Sequence, residues 1–210
     1  MRFLKVLVIL LISNFSYSNQ TTDLQLWSKF KVQKKFGKKE SINIFYGNRV
    51  RENISITSKD LIDISYQKSI KDINLRFGYR NTLNYSKKNQ KINSIRYYVD
   101  SYFKYRIGRI LINNRLRYQT QHQLGEVENT FRLKTNFSYS KHKKIKPEIS
   151  LEFFKDLILN DDKLRVTSSI IFDLKKRFEY EIYFRAQSLA NQFHYSPVYI
   201  IGSSLSYRLK

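Results

Sequence analysis

At 210 residues the chain makes one domain or at most two small ones, and it has no cysteine, which excludes disulfides, thiolate metal sites and cysteine nucleophiles. A formal net charge of +22 invites an anionic partner, although abundant lysine, asparagine, isoleucine and tyrosine supply part of that charge through composition alone. A mean hydropathy of −0.51 suits a soluble protein and equally a membrane β-barrel, in which half of each strand is polar.

The first segment carries Arg2 and Lys5, an unbroken apolar run from Val6 to Ile12, and small residues at Ser16 and Ser18. This is the anatomy of a secretory signal peptide, with cleavage between Ser18 and Asn19. The apolar run is too short to cross a bilayer as a helix; a buried first strand is the competing reading. Residues 1–18 are therefore assigned to the leader and 19–210 to a single β-barrel domain. An exported protein does not ordinarily meet cellular nucleic acid, so none is expected as a partner.

Beyond the leader the pattern alternates with period two, about ten residues at a time. "LQLWSKFKV" puts Leu24, Leu26, Phe30 and Val32 opposite Gln25, Lys29 and Lys31. "SINIFYGNRVR" follows, then "LIDISYQ" and "INLRFGYR", each with the same division. Further segments run from Ile95 to Tyr105, Ile110 to Gln121, Phe131 to Tyr139, Pro147 to Phe153, Leu164 to Asp173, Glu179 to Arg185 and Tyr199 to Leu209. No helical period persists. The expected fold is all-β, an antiparallel up-and-down transmembrane barrel of 10–12 strands, the range being set by the even numbers usual in bacterial single-chain barrels.

The polar face favours arginine at mid-strand. Leu75-Arg76-Phe77, Ile95-Arg96-Tyr97, Phe131-Arg132-Leu133, Leu164-Arg165-Val166 and Phe184-Arg185-Ala186 repeat one apolar–Arg–apolar pattern. Planar guanidinium groups suit a polar interior where carboxylates and amides can meet them. The expected lumen network joins these five arginines to Asp63, Asp100, Arg115, Arg117 and Glu152. Two hairpin registers sharpen this expectation. A two-residue turn at Ile107-Gly108 sets Asp100 opposite Arg115, and one at Ser69-Ile70 sets Asp63 opposite Arg76; other turn lengths would shift both.

Tyrosines near strand ends, among them Tyr46, Tyr66, Tyr105 and Tyr118, fit interfacial aromatic girdles, with the core of a soluble sheet as their other explanation. Long connections are expected around residues 52–60, 82–94, 121–128, 155–163 and 188–198. The short ones gather basic residues: Lys34, Lys35, Lys38 and Lys39 in the first, Arg106 and Arg109 in another, then Lys141, Lys143 and Lys144, and finally Lys175, Lys176 and Arg177. Such a rim suits phospholipid or lipopolysaccharide phosphates, at about 1 kcal/mol per basic residue near an anionic surface. Solvation of tight turns explains it as simply.

The segments "LQLW", "FGYR", "RLRYQ", "FRLK", "KPEISLEFF" and "LRV", in this order and spacing, resemble the domain of unknown function family 2490, from about Leu24 to Leu209. The resemblance implies an outer-membrane β-barrel and supplies no active site. The chain departs from the usual aromatic ending of barrels, since Tyr207 is followed by "RLK".

Catalytic chemistry has little to draw on. The three histidines, His122, His142 and His194, are scattered, and no phosphate-binding glycine loop is present, so no catalytic residue, metal or cofactor is assigned. The expectation is an outer-membrane barrel with an arginine-rich, narrow or filled lumen. Its role would be structural, lipid-organising or the passage of small solutes, with a lipid-modifying enzyme built on His122 or His194 as the alternative.

Overall fold

A computed structural model describes residues 23–86, 90–139, 144–158, 162–175, 177–190 and 197–209. The assigned leader, with its cleavage point at Ser18 and Asn19, lies outside the described residues. Eleven strands follow in order: β1 (Leu24–Phe36), β2 (Glu40–Arg51), β3 (Ile56–Ile70), β4 (Ile73–Tyr85), β5 (Lys91–Ile107), β6 (Ile110–Gln123), β7 (Glu126–Tyr139), β8 (Ile145–Asp156), β9 (Lys163–Lys175), β10 (Phe178–Leu189) and β11 (Val198–Leu209). Each pairs with its sequence neighbours, and β1 closes on β11 to complete a barrel. Strands of 12 to 17 residues exceed the 9–11 that a tilted strand needs to cross a bilayer.

An odd number of alternating strands makes the first and last point the same way. The β1–β11 seam is accordingly parallel, from Leu24 beside Tyr199 to Lys34 beside Leu209. This corrects the wholly antiparallel expectation; the other ten pairings are antiparallel.

The alternation is turned inside out relative to a soluble sheet. On β3, Ile62 and Ile64 are about half exposed on the outer face, whereas Asp63 between them is 1% exposed. On β5, Tyr97 and Val99 face outward while Tyr98 and Asp100 are buried. Among the described residues, buried polar side chains outnumber buried apolar ones, so the core of this barrel is polar and its apolar band lies outside.

Both expected hairpin registers are corrected. β5 and β6 turn through Gly108-Arg109, with Ile107 paired to Ile110, so Asp100 faces Arg117. Gly108 has φ +56°; the expected turn would have placed Ile107 at the first central position, where β-branched residues resist positive φ. β3 and β4 turn through Lys71-Asp72, which lets Ile70 pair with Ile73 and sets Asp63 opposite Arg80. The slips are of two and four residues. Even slips keep every side chain on its face, so the division between inside and outside is unaffected.

Strand growth also shortens the expected loops. Residues 121–128 become a two-residue turn, Leu124-Gly125, with φ values of 51° and 82°, the signature of a type I′ hairpin. The β2–β3 turn holds Glu52, Asn53 and Ile54 at φ 55°, 54° and 66°. One Asp23 carboxylate oxygen accepts the backbone N–H groups of Glu52 (2.7 Å) and Asn53 (3.2 Å), an anion seated in a concavity of successive backbone donors.

Candidate functional site

The inward faces enclose a cavity of about 480 Å³. Lys59, Glu128, Asp156, Lys163 and Gln187 line its mouth at the end where β1 begins; Arg76, Arg115, Lys134 and Lys31 line its deep end. Gln67, Asn74, Tyr102, Asn113 and Asn136, one layer nearer the opposite turns, do not line it. The cavity therefore reaches nearer to the end of the longer connections than to the opposite turns. Fourteen lysines and arginines line it against four lining carboxylates, with Asp100 and Glu152 pairing four of those arginines from just behind the lining.

Three buried carboxylates organise the arginines. Asp63 accepts Arg80 Nε at 2.9 Å and the Tyr98 hydroxyl at 2.7 Å. Asp100 takes both prongs of Arg117, at 2.6 and 2.8 Å, and the Tyr102 hydroxyl at 2.9 Å. Glu152 holds three guanidiniums: Arg132 (2.5 Å), Arg165 (3.0 Å) and Arg115. Forked, charge-assisted bonds of this kind fix geometry as well as charge. Aromatic rings add a second layer, with Arg117 stacked 3.8 Å from the Tyr98 ring centre, and Arg132 and Arg165 over Phe154.

The remaining arginines of the expected network meet neutral partners. Arg76 donates to Gln67 at 2.6 Å, Arg96 to Gln121, and Arg185 to the Thr167 hydroxyl at 3.0 Å. Sequence reasoning left Arg80 and Tyr98 out of the network. The signal for Tyr98 is present in "RYYVD": of two adjacent tyrosines only one can face outward, and Arg96 and Asp100 place Tyr98 inside. Tyr98 lies flat because Gly78 stands opposite it, where a Cβ would come within 2.1 Å of the ring. Gly202 accommodates Tyr183 in the same way.

The basic rim gathers at the other end. Lys34, Lys35, Lys38, Lys39, Arg106, Arg109 and Lys144 are exposed there, with Arg177 half-buried and Lys175 closing β9. Lys141, Lys143 and Lys176 lie outside the described residues. On the outer face, the Tyr46 and Tyr85 hydroxyls donate to Asp60 at 2.7 and 2.8 Å, a polar belt above the apolar band. His122 is also on the outer face, edge-on to Tyr97; His142 and His194 lie outside the described residues. Among the described residues no three histidine or carboxylate side chains form a group that could hold a metal ion.

A family model described as protein of unknown function (DUF2490) matches residues 24–194. The chain belongs to that family. The match runs from the start of β1 to just past β10. No curated protein matches the chain. Among solved structures, the KdgM porin is similar at a TM-score of 0.53 and 10% identity, covering 90% of this chain and 100% of the porin. The KdgM porin in complex with disordered oligogalacturonate gives 0.51 and 10%, covering 80% and 92%. The NanC porin also gives 0.51 at 10%, covering 78% and 86%. These likenesses place this DUF2490 barrel in a porin-like fold.

Proposed function

We propose that this protein is an outer-membrane barrel, exported by its N-terminal leader, whose arginine-rich lumen takes in small anionic solutes from the side of the longer connections. The observation that carries this reading is the excess of cations over carboxylates around the cavity. Clefts lined by one sign of charge with low-dielectric walls concentrate the opposite ion. The lumen is narrow, because long side chains from eleven strands fill most of a barrel this size. Toward the short turns the cavity lining stops before the layer of Gln67, Asn74, Tyr102, Asn113 and Asn136, and passage in this reading runs through that layer. The KdgM porin complex supports only the class of ligand, since oligogalacturonate is an anion.

The basic rim faces the phosphates of membrane lipids, with the short turns on the periplasmic side. Reversal potentials of the purified protein in a planar bilayer test the proposal. Anion-selective current supports it; cation-selective current overturns it, and no current at all overturns passage through the barrel.

A further inference from the structure

The two walls of the cavity balance their charge differently. Along β3 to β8, three carboxylates meet arginines directly, as Asp63, Asp100 and Glu152 do, while Arg76 and Arg96 there donate to the glutamines Gln67 and Gln121. Along β10, β11, β1 and β2, the lining cations are Lys29, Lys31, Arg49 and Arg185, and none of them forms a salt bridge among the described residues. Glu181 is the one carboxylate lining that wall.

Trp27 lies at the centre of this wall. It faces inward on β1 directly across from Arg49 on β2. The Arg49 guanidinium stacks 3.8 Å from the centre of the indole, and Arg185 approaches the same ring to 5.1 Å. Arg165 comes to 5.7 Å, but its donors are already engaged by Glu152 and Gln187. Arg185 also lies over the Tyr183 ring at 4.5 Å, and among the described residues its hydrogen bonding commits only Nε, to Thr167. The Arg49 side chain makes no hydrogen bond among the described residues.

Stacking holds a guanidinium by its face and leaves the in-plane N–H groups to point elsewhere. Here they belong to two like charges that approach one indole and line the cavity. Such a pair repels unless an anion lies between them, and a planar oxyanion can accept from both forks. Lys59, opposite Arg49 on β3, and Lys163 stand at the mouth above the pair and would draw an anion toward it. We propose that Arg49, stacked on Trp27, and Arg185, held between Trp27 and Tyr183, form a binding site for the carboxylate or phosphate of a small solute. The site rests on the reading of the lumen as an anion-accepting cavity.

Trp27 is the only tryptophan in the chain, so its emission reports the site directly. The test is a fluorescence titration of the folded barrel with glucuronate and with inorganic phosphate, using glucose and matched chloride as references. A saturable change with glucuronate or phosphate, absent with glucose and chloride, upholds the site, and the better ligand tells carboxylate from phosphate. Arg49→Gln and Arg185→Gln should each weaken binding by about tenfold or more, the loss of a charged hydrogen bond. Lys91→Gln, which removes an exposed rim charge away from the cavity, should leave it unchanged. Emission that follows ionic strength whatever the anion overturns the site, as does unchanged affinity in both arginine variants. Should those variants fail to fold, the wild-type discrimination between glucuronate and glucose decides alone. Reversal potentials on the same preparation separate the two levels: anion-selective current without titration overturns the site and leaves the lumen reading standing, whereas titration without anion current upholds the site and overturns passage.

Discussion

Asp100 and Arg117 face each other across β5 and β6, joined by two parallel N–H···O bonds of 2.6 and 2.8 Å, with the carboxylate at 0% exposure. Removing one partner of such a pair leaves a bare charge in a desolvated interior. Asp100→Asn should therefore destabilise the barrel by about 3–5 kcal/mol, whereas Asp100→Leu combined with Arg117→Met should sit much closer to wild type. Urea unfolding, followed by the loss of heat-modifiable gel mobility, measures both.

Glu152 serves three arginines at once, on β6, β7 and β9. Glu152→Gln keeps the shape and removes the charge that holds them together. It should lower stability at least as much as Asp100→Asn, and it should raise anion preference, because three guanidiniums then face the cavity unbalanced. Unfolding in urea and reversal potentials report the two effects separately.

Gly78 and Tyr98 form a packing pair in which a Cβ at 78 would lie 2.1 Å from the ring. Gly78→Ala must push the ring off its Asp63 and Arg117 contacts, at a cost of about 1–3 kcal/mol. Adding Tyr98→Phe should not relieve the clash, since the ring remains; adding Tyr98→Ala should. A double-mutant cycle on unfolding free energies exposes that coupling as strongly non-additive.

The short-turn rim offers a prediction about lipids. Replacing Lys35, Lys38 and Lys39 with glutamine should reduce the barrel's preference for phosphatidylglycerol over phosphatidylcholine, by up to about 1 kcal/mol per charge at low salt. Lipid retained on the purified protein in mixed bilayers gives the measurement. An unchanged lipid ratio would mean that these lysines serve only to solvate a turn.

What could be read from the chain follows from the periods involved. Period two needs only the order of residues, so Asp63 and Asp100 were assignable to the inside, as were Arg76, Arg96, Arg132, Arg165 and Arg185. Register depends on which two residues make the turn, and "RIGR" admits two choices that differ by the φ demanded of Ile107 and Gly108. That ambiguity moved the partner of Asp100 from Arg115 to Arg117, and the β3–β4 turn, falling at Lys71-Asp72 instead of Ser69-Ile70, moved the partner of Asp63 from Arg76 to Arg80. The stack of Arg49 on Trp27 joins neighbouring strands whose register had to be known first. Trp27 was nonetheless legible as inward, lying between Gln25 and Lys29 in the alternation. The parallel seam was implicit in eleven segments, but the usual even count concealed it.

The central claim is a lumen that favours anions, and the reversal potential of single purified barrels across a KCl gradient tests it most directly. A potential displaced toward the equilibrium value for chloride is the result expected from a cavity whose fourteen lining cations meet six carboxylates, four in the lining and Asp100 and Glu152 behind it. A potential displaced toward the equilibrium value for potassium would contradict it.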